Sequence, residues 1–224
     1  MVEETALENL RYPKDVRINA LYLIPGDGVA IDILELFTEM NVYEDIFANT
    51  LSGDIVITDS RNLLGNAPII GNEYIFLSYY TPGESQNQKD PITVIFNIHK
   101  VSKRKIHNER KQTYVLHLVS EELIRNETKK ISKSFEGTIS DIVEEIFQDT
   151  NDGLGSVKNL TIGDRTRNFI QFIAPRWSPI QTINWLAQQA VSGEHDVPNY
   201  LFYETVDGFH FTSLSELIFK GQFE

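Results

Sequence analysis

The side chains that could carry chemistry in this chain lack the spacing of a known catalytic or metal site. There are five histidines and no cysteine. No two histidines have the spacing of a metal-binding helix face, and no thiolate can assist them. His99 and His117 fall in neighbouring predicted strands and could pair across a hairpin, although ordinary strand histidines are the simpler interpretation. We therefore predict no metal site and no cofactor.

Serine and carboxylate residues also fail to form a recognisable motif. Ser52 and Ser192 each precede a glycine, but neither lies in the G-x-S-x-G turn of serine hydrolases. The 32 acidic residues offer many carboxylate pairs of the kind used in glycoside hydrolysis, and no motif selects one. We predict no catalytic residue. A cell-wall or glycan hydrolase acting through paired carboxylates is the alternative.

A cluster of cations is the most function-like feature of the sequence. It follows a predicted strand and occupies what we interpret as a long hairpin tip, in a chain whose formal net charge is −12. Such a cluster could contact an acidic protein surface or phosphates, or it could be a solvated group of charges that protects a sheet edge. The overall negative charge disfavours general nucleic-acid binding. The candidate partner-contact residues are Lys100, Lys103, Arg104, Lys105, Arg110 and Lys111.

Composition indicates a folded chain of one large or two modest domains. Its 224 residues are 41% hydrophobic and 11% aromatic, which is ordinary for a globular protein. The absence of cysteine excludes disulfides and fits assembly inside a cell. The acidic start, interrupted by Pro13, is unlike a signal peptide. No apolar run approaches the ~18 residues of a membrane span, so we expect no membrane-spanning segment.

Short strands separated by turns are predicted up to about residue 120. Residues 29–42 fit both a strand and a helix, and we favour a strand because Gly-containing turns and short strands surround them. Residues 43–49 are predicted as a helical turn. The predicted strands are residues 16–24, 54–58, 73–80, 92–101 and 112–120.

Helix signals appear after residue 120. Thr138 can cap a helix over residues 138–149, whose apolar positions form one stripe. Ser178 can cap a second helix that has Pro179 at its first position. Asp207-Gly208 predicts a two-residue hairpin turn near the end of the chain. We therefore predict an α+β protein with an antiparallel β domain over 1–120 and a smaller α/β domain over 121–224.

Three segments, in matching order from Val16 onward, resemble those of a known family. The first contains Asp59, Leu63, Leu64, Pro68, Ile69, Gly71 and Glu73. The second is SFEGTISDIVEEIFQD, and the third is APRWSPIQTINWLAQQAV followed by YLFYETVDGFHF. Together they are similar to the baseplate hub protein of contractile-tailed bacteriophages, a family shared with the hub part of type VI secretion spike proteins.

This resemblance implies a structural virion protein of a contractile injection system and not an enzyme. The first domain would be a tube-type antiparallel β-barrel. The protein would form a homotrimer in the tail baseplate, join the tail tube to the central spike, and line a channel through which DNA passes without specific binding. Assembly would take place in the host cytoplasm. Family subunits carry two similar barrels, whereas this sequence stops at Glu224, so we expect either a fragment or a differently built hub.

Overall fold

The computed structural model describes residues 15–26, 28–66, 69–81, 91–108, 111–194 and 197–219. These residues form two compact units. Unit 1 contains the residues up to Val42 together with Ser52–Val119, and unit 2 contains Tyr43–Leu51 together with the residues from Ser120 onward. The segment 43–51, which the sequence placed among the first-half elements, clusters with unit 2, where it forms a hydrogen-bonded turn and not a helix.

Unit 1 is built on one seven-stranded sheet. The strands are β1 (Arg17–Ile24), β2 (Ile31–Asp32), β3 (Phe37–Tyr43), β4 (Ser52–Asp59), β5 (Tyr74–Tyr80), β6 (Ile92–Asn108) and β7 (Lys111–Val119). Their order in the sheet is β2-β1-β5-β6-β7-β4-β3. A short helix, α1 (Leu63–Asn66), follows β4. Residues 29–42 contain β2 and most of β3, so the strand interpretation was right in preference to the helix.

Alternating side chains give this sheet a buried inner face. Leu21 lies opposite Leu77, and Ile55 lies opposite Leu116, and all four are nearly inaccessible to solvent. Because directly opposed residues point to the same side of a sheet, these pairs place the apolar positions of several strands on one face. Among the described residues β2 and β3 are edge strands, and closure of the sheet into a barrel stays a prediction.

Strand β6 is longer than the sequence predicts. It continues through Asn108, so the stretch interpreted as a long hairpin tip is mostly strand. Its pairing with β7 is irregular at three places, between Ile98 and Lys100, between Ser102 and Lys105, and between Ile106 and Asn108. β-bulges of this kind insert extra residues without ending the strand. The prediction of a tip was wrong because lysine and arginine are disfavoured in strands, whereas here they lie on exposed, bulged positions.

Unit 2 combines helices with two small sheets. The elements are α2 (Glu121–Thr128), β8 (Ser134–Thr138), α3 (Ile139–Gln148), β9 (Leu160–Ile162), β10 (Phe169–Ile173), α4 (Pro179–Gln189), β11 (Tyr200–Thr205), β12 (Gly208–Ser213) and α5 (Leu214–Phe219). Strands β8 and β10 pair antiparallel, and β12 pairs antiparallel with β11 and parallel with β9. Strand β9 and helix α5 were not predicted from the sequence.

The two predicted helix caps are confirmed. Thr138 accepts a hydrogen bond from the backbone N–H of Asp141 at the start of α3, and Ser178 accepts one from Gln181 at the start of α4. Each cap satisfies one of the N–H groups that a helix leaves unpaired at its beginning. The apolar stripes of both helices pack in the core of unit 2. No helix in the described part of the chain has the length and apolar character needed to cross a membrane.

Candidate partner-contact surface

The structure distributes the predicted contact residues over both faces of the sheet of unit 1. Lys100, Lys103, Arg104, Lys105 and Lys111 are exposed, and Arg110 lies outside the described residues. Lys100 is opposite His117, and Lys105 is opposite Thr113. These positions alternate with the buried positions of β7, so the two lysines lie on the face away from the core. We call this face, defined by Asp54, Ser102 and His117, the polar face.

Arg104 belongs to the other side of the sheet. Its Nε donates to Oε1 of Gln112 at 2.9 Å, and Nε2 of Gln112 donates to Oδ2 of Asp59 at 2.9 Å. The bulge between Ser102 and Lys105 permits this change of side, and Lys103 within it has the left-handed φ of 51°. The cations therefore do not form one patch, and their role as contact residues stays a prediction.

A cleft of about 350 Å³ lies beside Arg104 at this end of the sheet. Arg61, Arg104 and Lys111 are among the residues that line it, together with the buried Asp59. Asp59 accepts hydrogen bonds from the backbone N–H groups of Arg61 and Leu63, at 2.9 and 2.7 Å. Its carboxylate thus holds the turn before α1. Arg61 is paired with Glu35 at 2.7 Å and Arg104 is bonded to Gln112, so an acidic side chain of a partner would have to compete with or add to these contacts.

A hydrogen-bonded chain on the polar face was missed by the sequence reasoning. Ser102 Oγ lies 2.6 Å from Nε2 of His117, and Nδ1 of His117 is hydrogen-bonded to Asp54. This is the connectivity of a Ser-His-Asp triad. Acyl transfer also requires oxyanion donors and a substrate cleft. Ser102, His117 and Asp54 instead lie on an open face of the sheet. We therefore assign it the role of joining β4, β7 and β6.

His99 lies beside His117 but is not part of the hydrogen-bonded series of Ser102, His117 and Asp54. The rings of His99 and His117 are 6.1 Å apart between centroids, so these two histidines, which the sequence allowed to pair across the hairpin, are neighbours. Burial lowers the pKa of His99, and the nearby His117 and Lys100 lower it further. A neutral His99 beside Lys100 limits the positive charge on this face near neutral pH.

Two buried carboxylates in unit 2 share one ammonium group. Lys158 Nζ is 2.7 Å from Glu122 and 2.5 Å from Glu204, and both carboxylates are almost fully buried. Burial by itself would lower the pKa of Lys158, but the two carboxylates outweigh it and the pKa is raised. This geometry stabilises charge and does not leave a carboxyl free for acid–base catalysis. No group of three or more His, Asp or Glu in the described residues could hold a metal ion.

Comparison with known proteins identifies the fold. No protein-family model matches the chain, and no curated protein matches it. A 43 kDa tail protein of prophage MuSo2 from Shewanella oneidensis matches with a TM-score of 0.55 and 12% identity, over 86% of this chain and 53% of its own. A tail protein from Neisseria meningitidis matches with a TM-score of 0.52 and 12% identity, over 86% of this chain and 49% of its own.

A third match gives the same result. A prophage tail protein from Listeria monocytogenes has a TM-score of 0.52 and 9% identity, over 87% of this chain and 51% of its own. This chain therefore spans about half the length of these three structures. At sequence identities this low, the three matches establish a shared fold and nothing finer. The resemblance to phage tail proteins that the ordered segments predict is confirmed at that level.

Proposed function

We propose that this chain is a structural component of a phage tail and acts in the baseplate hub that joins the tail tube to the central spike. The observation that carries the proposal is the match of 86% of the chain to a prophage tail protein. The three ordered sequence segments that resemble hub proteins support the finer assignment. In this role the chain is a virion protein, forms a homotrimer with its copies, and surrounds a channel that DNA crosses without specific binding.

The electrostatics of the chain support passage of DNA without tight binding. The formal net charge is −12, which disfavours a strong attraction between the protein and phosphates. The exposed lysines of the polar face then serve contacts with an acidic protein neighbour. Such contacts at the rim of an interface mainly raise association rates and set orientation.

Reconstitution tests the proposal. We expect the purified chain, mixed with candidate tail-tube and spike proteins, to form particles of larger native mass that contain all three proteins. Electron microscopy would show the chain between tube and spike. A strictly monomeric chain that binds neither partner would contradict the proposal.

Charge reversal on the polar face tests the proposed contact. We expect the double substitution Lys100→Glu and Lys105→Glu to lower the rate constant for association with an acidic partner several-fold. The decrease of this rate constant with increasing ionic strength should also become smaller. Each single substitution is also measured, and Lys130→Glu is the control for these, because it changes the net charge by the same amount and Lys130 is exposed but belongs to unit 2. Equal effects of the polar-face and control substitutions would exclude a specific contact at the polar face.

The alternative of a glycan hydrolase receives no support from a specific observation. Its best carboxylate pair, Glu122 and Glu204, is buried and bridged by Lys158. A general acid or base must reach the substrate and change its protonation state during the reaction. One ammonium group binds both carboxylates, so neither is available to a substrate and we propose no second function.

A further inference from the structure

A groove in unit 2 has a lining that differs from the rest of this acidic chain. Its volume is about 390 Å³, within the range of about 300–1,000 Å³ found for small-molecule sites. Every described residue that lines it is uncharged. The residues that could contact a ligand are two tryptophans and four amides: Trp177, Trp185, Asn126, Gln181, Asn184 and Gln188.

The two tryptophans form an aromatic wall that the fold holds in place. Their ring centroids are 5.6 Å apart and the rings are tilted by 52°. Trp185 packs on Phe172, 4.9 Å away, at the margin of the core, and the backbone carbonyl of Trp177 accepts a hydrogen bond from Ile131. Both tryptophans are only half-buried. Part of each ring therefore remains available to a ligand.

Helical spacing places the amides beside this wall. Gln181, Trp185 and Gln188 follow one another at intervals of four and three residues along α4, so they share one face of the helix. The opposite face of α4, which carries Ile183 and Leu186, is buried in the core of unit 2. The Gln181 and Gln188 side chains are exposed, and each presents both donors and an acceptor.

The other two amides are fixed by the protein. Asn184 exchanges two hydrogen bonds with Asn49, at 2.9 and 3.0 Å. Asn126 accepts a hydrogen bond from the backbone N–H of Ile180 at 2.8 Å. The groove thus combines two amides held by hydrogen bonds within the protein with two exposed glutamine side chains.

We propose that this groove binds an uncharged oligosaccharide. Sugar rings have an apolar C–H face that can stack on an indole, and they carry hydroxyl groups at the rim that match the paired donor and acceptor of a side-chain amide. A charged ligand would find no counter-charge among the described lining residues. The inference does not depend on a role in the phage tail, because it rests on the local chemistry of unit 2.

Intrinsic fluorescence provides a direct test, because Trp177 and Trp185 are the only two tryptophans of the chain. The full chain is titrated with three neutral probes, chitotetraose, cellotetraose and maltotetraose, and with an uncharged tetrapeptide. We expect a saturable change in tryptophan emission with at least one oligosaccharide and none with the peptide. No saturable change with any of the three oligosaccharides, or an equal response to the peptide, would overturn the proposal.

Neighbouring glutamines supply a matched pair of variants. Gln188→Ala removes a groove amide, and we expect binding about three- to tenfold weaker, as for loss of one or two hydrogen bonds. Gln189 is equally exposed on α4 but does not line the groove, so Gln189→Ala should bind within twofold of the unmodified chain. Trp177→Ala keeps Trp185 as the reporter and should abolish saturation, with folding checked by circular dichroism. Unchanged binding in both Gln188→Ala and Trp177→Ala would place the ligand elsewhere and refute the site.

Discussion

Replacement of Lys158 by methionine should strongly destabilise unit 2. The lysine is the only described cation that contacts the two buried carboxylates of Glu122 and Glu204, and it also donates to Ser120 at 3.0 Å. Removing one partner of a buried ion pair costs about 3–5 kcal/mol, because the other charge is left without compensation. We therefore expect Lys158→Met to lower the free energy of unfolding by about 3–5 kcal/mol.

Glu122→Gln is the matched control for this substitution. The three groups together carry a charge of −1, so removing the Glu122 charge leaves a neutral pair of Lys158 and Glu204. The amide can present its oxygen to Lys158 and its N–H to Ser156, which now donates to Glu122 at 2.6 Å. We expect a cost of about 1 kcal/mol or less, the value of a single hydrogen bond.

Urea unfolding at pH 7, followed by tryptophan emission, measures both variants. Both tryptophans lie in the same unit as the ionic network, so the signal reports the unfolding of that unit. With a denaturant slope of about 1–3 kcal/mol per molar urea, the midpoint of Lys158→Met should fall by roughly 2 M. A loss below about 1 kcal/mol in Lys158→Met, or an equal loss in Glu122→Gln, would refute the assignment of Lys158 as the compensating charge.

Three further predictions concern pH and the sheet of unit 1. The folded state raises the pKa of Lys158 from 10.5. The ammonium group therefore stabilises the fold fully below pH 10.5, and this stabilisation is lost as pH rises through the folded-state pKa. The urea midpoints of the unmodified chain and of Lys158→Met should accordingly converge above about pH 10.5. Asp59→Ala leaves the backbone N–H groups of Arg61 and Leu63 without their acceptor. It should lower the free energy of unfolding, measured by circular dichroism in urea, by about 1–3 kcal/mol. Asp59→Asn should lower it less. Gly53→Ala would place its Cβ 2.6 Å from the backbone oxygen of Asn41. The resulting clash should lower the free energy of unfolding by about 1–3 kcal/mol. The neighbouring Ser52→Ala is the control and should unfold at nearly the same denaturant concentration as the unmodified chain.

Local structure was predicted well where it depends on neighbouring residues. Thr138 and Ser178 cap the helices that they were predicted to cap, because a cap bonds an N–H group only three residues away. The hairpin predicted at Asp207-Gly208 forms, but its turn is shifted by one residue: Val206 and Asp207 make the turn, and Gly208 begins β12 opposite Thr205, with the positive φ of 133° that glycine tolerates best. Such features need little information from the rest of the chain.

Strand length and pairing were predicted less well. Nothing local indicates that β6 continues to Asn108, because its last residues are mostly polar and charged. The strand persists because β7 supplies hydrogen-bond partners through three irregularities of register. Pairing energy from a neighbouring strand therefore overrides the weak intrinsic preference of these residues.

The sequence alone determined that strands dominate the first half and that two capped helices and a hairpin follow in the second. It also determined the resemblance to tail proteins, which the fold comparison confirms. Only the tertiary structure decided which side chains meet. Asp54, Ser102 and His117 are brought together by the pairing of three strands, and Lys158 reaches Glu122 and Glu204 across distances of 36 and 46 residues along the chain. Such contacts depend on sheet register and on the packing of distant segments, which no local pattern of residue types encodes.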